Sequence, residues 1–79
     1  MWIEAQNGTW HNSKYIMNLE IIDDLFESSI LATDINNNII ELFKFTGVSA
    51  ESDAKSKLRD IMHYISREKH VIDKDGDVI

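Results

Sequence analysis

The segment Asp73-Lys74-Asp75-Gly76-Asp77 places three carboxylates at alternate positions beside a glycine. That is how a calcium-binding loop opens, since such a loop ligates the ion through alternate residues and turns sharply at a glycine. Setting Asp73, Asp75 and Asp77 at the first, third and fifth positions puts Val78 where that glycine belongs. The bidentate acid that should close the loop has no place before Ile79. The segment therefore reads as an acidic tail, with Asp75-Gly76 at a turn.

Three histidines raise the question of zinc: His11, His63 and His70. At about 100° per residue, His63 sits roughly 140° around a helix from Leu58, off the apolar side. His63 and His70 are two helical turns apart, whereas helical metal ligands pair one turn apart. No metal site and no cofactor is expected. Glu4 and His11 are placed to face each other across a hairpin, and with Tyr64 they are the only raw material for acid–base work. A surface contact is the simpler reading of that pair. No serine sits in a nucleophile elbow, and no glycine-rich loop is present to hold phosphate. No catalytic residue is assigned, and a non-enzyme is expected.

The elements that would carry these residues are strands first and one helix last. Met1–Ala5 and Thr9–Asn12 flank Asn7-Gly8, a strong two-residue hairpin signal. That turn sets Ala5 opposite Trp10 and Glu4 opposite His11. Ile3, Ala5 and Trp10 then share one face, and Trp2, Glu4 and His11 the other. Tyr15 to Asp23 alternates as a strand, although Leu19, Ile22, Phe26 and Ile30 also fit helical spacing. Asp24 to Ser29 is expected as a loop, with Leu25 and Phe26 folding back.

Ser29–Ile35 and Ile39–Phe45 flank three asparagines, which tolerate the left-handed region a tight turn needs. A turn at Asn36-Asn37 pairs Leu31 with Leu42 and Thr33 with Ile40. A turn at Asn37-Asn38 would set Asp34 against Glu41, a like-charge pair, so the first register is preferred. Ser49 or Ser52 caps the helix. Ala54, Leu58, Ile61, Met62 and Ile65 form its apolar stripe, which decays near Arg67. Glu51–Lys55 and Asp53–Lys57 are favourable one-turn ion pairs. Lys55, Lys57 and Arg59 read as a solvated helix face.

The expected fold is thus α+β: an antiparallel meander of four or five strands with one C-terminal helix packed on one face. Residues 1–70 form the single domain and 71–79 the tail. The two central strands are apolar on both sides, with Leu31, Ile40 and Leu42 on one and Ile30, Phe43 and Phe45 on the other. One helix covers one face. The other is expected to meet a partner or a second copy of the chain, through Trp2, Ile30, Phe43 and Phe45.

The 79 residues carry a net charge of −6 and no cysteine. Residues 1–48 hold seven acidic and two basic side chains. Such a body repels phosphate backbones, so direct nucleic-acid binding is not expected, whereas a basic protein would be attracted. The opening MWIEAQNG has neither the basic start nor the apolar run of a signal peptide. No run approaches about 18 continuous apolar residues, so neither a membrane span nor membrane binding is expected and a cytoplasmic location is.

The opening MWIEAQNGTWHN, the strand IMNLEI and the helix SAESDAKSKLRDIMHYI resemble a loose group of short uncharacterised proteins of Firmicutes and their phages. The resemblance spans roughly residues 1–65; LFKFTGVS departs from the Leu-Gly-x-Tyr strand end common in that group. It implies a meander-plus-helix fold and a phage or mobile-element origin, with no activity or site residues to carry over. The function expected is protein–protein interaction, as a small acidic inhibitor or adaptor acting on a larger basic protein. The alternative is a homo-oligomeric binder of a small ligand at a subunit interface.

Overall fold

The computed structural model describes residues Met1–Arg67. The expectations for His70, for Asp73–Asp77 and for the tail 71–79 lie outside the described residues. The chain folds as an α+β domain. Five strands are described: β1 (Trp2–Glu4), β2 (Trp10–Asn12), β3 (Ile16–Asp24), β4 (Glu27–Asp34) and β5 (Ile39–Thr46). They are followed by α1 (Ala50–Arg67). The strands form two antiparallel sheets, β1-β2 and β3-β4-β5, rather than one continuous meander.

The first hairpin departs from its expected register by one residue. Glu4 pairs with Trp10 and Ile3 with His11. The amide of Ala5 donates to the carbonyl of Thr9, and the amide of Gly8 to the carbonyl of Ala5. The loop is therefore Gln6-Asn7-Gly8, three residues long, and only Gly8 takes a positive φ, at +89°. A three-residue loop needs one left-handed residue, where the two-residue loop expected at Asn7-Gly8 needs two. A one-residue slip inverts the strand, so Trp10 joins Trp2 and Glu4 on one face. Glu4 and His11 consequently lie on opposite faces, and no acid–base pair forms between them.

The turn at the asparagines repeats this geometry. Asp34 N–H donates to the Asn38 carbonyl, Asn37 N–H donates to the Asp34 carbonyl, and Asn37 has φ +64°. The Asp34 carboxylate also accepts from the amides of Asn36 and Asn38, at 2.8 and 2.9 Å. These bonds hold the Asp34 carboxyl below its ordinary value, with the Asn38 amide the largest cause. A carboxylate with a depressed folded pKa stabilises the fold above its unfolded value, and that contribution is lost as pH falls through the folded one. Asp34→Ala is therefore expected to lower Tm at neutral pH. The deficit should narrow progressively once pH drops below about 4, the ordinary carboxylate range. Melting curves across that range check it.

Neither register considered for β4 and β5 holds throughout. Thr33 faces Ile39, Ala32 faces Ile40 and Leu31 faces Glu41; beyond an irregularity the pairs become Ile30–Phe43 and Ser28–Phe45. A bulge at Leu42 absorbs one extra residue and shifts the alternation. Ile40 before it and Phe43 and Phe45 after it thus share the face of Ala32, Ile30 and Ser28. That face is the core. Ile3, Ala5, Ile30, Ala32, Leu42, Phe43, Ala54 and Ile61 form one buried cluster.

The helix lies on this side. Its buried residues are Ala50, Ala54 and Ile61, and Lys57 Nζ sits 4.5 Å from the centre of the Phe43 ring. Leu58, Tyr64 and Ile65 pack partly buried beside the cluster, whereas Met62, expected in the stripe, is exposed. Ser49 stands immediately before the helix, and its hydroxyl donates to the Asp53 carboxylate at 2.9 Å. The Glu51–Lys55 pair forms at 2.8 Å.

The β1-β2 hairpin adds a second cover on the core beside the helix. Its Ile3 and Ala5 are fully buried there. Gln6 ties it to the β5 edge: its amide donates to the Leu42 carbonyl at 2.7 Å, and its Oε1 accepts from the Lys44 amide at 2.9 Å.

Candidate interaction surfaces

The open face of the three-stranded sheet is built from Asn18, Glu20 and Ile22, from Ser29, Leu31 and Thr33, and from Ile39, Glu41 and Lys44, by the register of the pairs. Leu31 sits at its centre with Glu20 and Glu41 on either side. The open face is therefore mixed rather than the expected surplus apolar face: Ile22, Leu31 and Ile39 lie among polar and charged neighbours, and Phe43 and Phe45 of β5 lie on the core face. Of the four residues assigned to a partner, Ile30 and Phe43 are buried in the core and Phe45 is half-buried against it. A partner could not reach Ile30 or Phe43 without unpacking the helix. Trp2 alone is half exposed. It lines a cleft of about 220 Å³ with Trp10, His11, Tyr15, Asp34 and Ile40.

Three exposed apolar side chains cluster at the opposite turn. Leu25 is 80% exposed, Phe26 60% and Val48 93%. The expected loop over residues 24–29 does not exist. Asp24 pairs with Glu27, leaving Leu25-Phe26 as a two-residue turn. The alternation of β4 simply continues back to Ser28, which is buried and donates to the Asp23 carboxylate at 2.5 Å. Leu25 and Phe26 project outward instead of folding back.

Two-residue hairpin turns favour asparagine and glycine, because they need positive φ. Here Phe26 takes φ +58°. A bulky side chain in that region is strained, and it persists only where neighbours over-determine it. The Phe26 carbonyl accepts from the Gly47 amide at 2.8 Å, which brings the β5–α1 connection and its Val48 alongside. The surrounding groove is lined by Asp23, Asp24, Glu27 and Glu51 as well as by these apolar residues. Glu27 is bonded to Lys44 at 2.9 Å, and that bond holds the Lys44 ammonium above its ordinary pKa. Asp23 and Asp24 supply the remaining negative charge of the rim.

Other chemistry does not assemble. The Thr9 hydroxyl donates to Asn7 Oδ1 at 2.7 Å and lies 2.8 Å from His11 Nε2. His63 stacks edge-on against Tyr64 at 5.4 Å. Lys55 turns to Glu51 while Lys57 covers Phe43, so the basic cluster disperses. Among the described residues no group of three histidine or carboxylate side chains is placed to hold a metal. No helix among them is long and apolar enough to cross a membrane.

The described fold and surfaces define a small α+β domain: a three-stranded meander covered on one side by a helix and a hairpin. No family model, no curated protein and no solved structure matches the chain.

Proposed function

We propose that the protein is a non-enzymatic protein-binding module, a small acidic inhibitor or adaptor that acts on a basic surface of a larger protein. The observation that carries this reading is the tip formed by Leu25, Phe26 and Val48, three exposed large apolar side chains that line one acidic groove. An apolar centre within a polar rim is the anatomy of a binding hot spot. The carboxylates of Asp23 and Asp24 beside it select a positively charged surface and speed its approach. A leucine–phenylalanine pair in a turn that favours asparagine–glycine breaks a local rule without any packing return. Such breaks concentrate at functional sites. A phage origin, which the resemblance to short uncharacterised proteins of Firmicutes and their phages implies, would suit an inhibitor of a host protein.

Leu25→Ser combined with Val48→Ser tests the reading, since both side chains are solvent-exposed and the fold should survive. Affinity capture from host lysate with the native chain should retain a basic protein that is released as salt rises. The double variant should retain at most about a tenth as much, as expected for removing a hot spot. Equal capture by both chains, or capture indifferent to salt, would count against the tip.

A second reading, a homo-oligomeric small-ligand binder, rests on the cleft of Trp2, Trp10 and Tyr15. It predicts self-association together with tryptophan fluorescence that changes on ligand addition.

A further inference from the structure

The two edges of the three-stranded sheet are treated differently. The β5 edge is stapled by Gln6. The β3 edge is bare: among the described residues, no backbone hydrogen bond from outside the β3–β4 ladder reaches Met17–Asp24. An open edge offers a row of unpaired amides and carbonyls, and folded proteins usually blunt it with lysine, proline or a covering segment. β3 reads Ile-Met-Asn-Leu-Glu-Ile-Ile-Asp-Asp and contains neither lysine nor proline. Beside it runs a cleft of about 300 Å³ between Ile16–Leu19 and the helix residues Met62 and Ile65. Met17 and Met62 are 59% and 52% exposed at its mouth. Methionine is a flexible, adaptable lining for a binding surface.

We infer that β3 is a strand-addition site, which takes an extended segment of a partner protein in which basic and apolar residues alternate. The backbone of that segment pairs with the β3 edge as a fourth strand. Successive side chains then point to opposite faces. On the helix side they enter the apolar cleft at Met17, Leu19 and Met62. On the open side they pass Glu20 and Asp24, which call for lysine or arginine. Charge sets the choice of occupant. No basic residue occurs between Lys14 and Lys44, while the edge itself carries Glu20, Asp23 and Asp24. A second copy would bring the same three carboxylates and its own −6 to that edge. This site meets the Leu25–Phe26–Val48 tip at Asp23 and Asp24, but its edge and cleft use none of the tip's apolar side chains, so either can fail without the other.

The test uses the full chain and the probe peptide acetyl-Lys-Val-Lys-Ile-Lys-Val-Lys-amide at low ionic strength. Two N-methylated forms are compared, one methylated at the lysines and the other at the apolar residues. Only one set of peptide amides faces β3, so one form should lose about tenfold or more in affinity and the other should bind normally. Hydrogen exchange at the outward-facing β3 amides, those not bonded to β4, should slow on binding, and Met17→Lys should weaken the peptide without lowering Tm. The Leu25→Ser, Val48→Ser chain should bind it as the native chain does. Equal binding of both methylated forms, or loss of binding in that tip variant, would overturn the assignment. So would protection, without peptide, of the outward-facing β3 amides that β4 does not bond, whether by a second copy seen in sedimentation or by the chain's own residues 68–79.

Discussion

Ile30→Ala is expected to lower Tm by about 10–30 °C, the equivalent of about 2–5 kcal/mol in a domain of this size. Ile30 has no exposed surface and lies on the core face of the central strand, opposite Ile21 on one side and Phe43 on the other. Truncation there leaves a cavity bounded by two strands, with little freedom to collapse. A chain of 79 residues has on the order of 4–12 kcal/mol of total stability, so the loss is a large share of it. Leu25→Ala is the control and should move stability by no more than about 0.5 kcal/mol, since its side chain is in water. Calorimetry of both variants decides between the two faces assigned to Ile30. Were it the partner-facing residue that alternation alone makes it, Tm would barely change.

Phe26→Gly should act in opposite directions on stability and on binding. Holding a side chain in the left-handed region costs roughly 1–2 kcal/mol, which glycine does not incur. Against this, glycine widens the unfolded ensemble, and the exposed Phe26 ring gives up little packing. The net result expected is a gain of up to about 1 kcal/mol. The same change removes the centre of the tip, and partner affinity should fall by about thirtyfold or more, as for a hot-spot aromatic. Denaturant unfolding and calorimetric titration with the captured partner measure the two effects separately. A clear loss of stability would show that the Phe26 ring is held by packing rather than displayed at a backbone cost. Unchanged affinity would remove the reason for a phenylalanine in that turn.

The site was less legible than the fold. Leu25 and Phe26 stood out as apolar residues, but a greasy pair next to a strand is normally read as folding inward. Nothing local says that Asp24 and Glu27 pair directly and leave these two residues outside. The available signal was negative: the turn lacks asparagine and glycine, while Asn7-Gly8, which has the right chemistry for a two-residue turn, sits in a three-residue one. The bare β3 edge was invisible for a different reason. Which strands are outermost depends on the pairing order of the whole sheet.

What the sequence determined by itself follows from short-range rules. The helix came from spacing of Ala54, Leu58, Ile61 and Ile65, from the serine before it and from Glu51–Lys55, all within one or two turns. The strands of the meander came from alternation and from turn residues at Asn36–Asn38. The α+β class follows from those alone. Only the tertiary structure decided which way each strand faces. Side chains alternate with a period of two, so one extra loop residue at Gly8 or one bulged residue at Leu42 exchanges inside for outside along everything beyond it. The choice between such registers depends on contacts far along the chain, such as that of Gln6 with Lys44, 38 residues away. Those contacts exist only once the sheets have come together, and they put Ile30 and Phe43 in the core and left Trp10 and Phe26 in water.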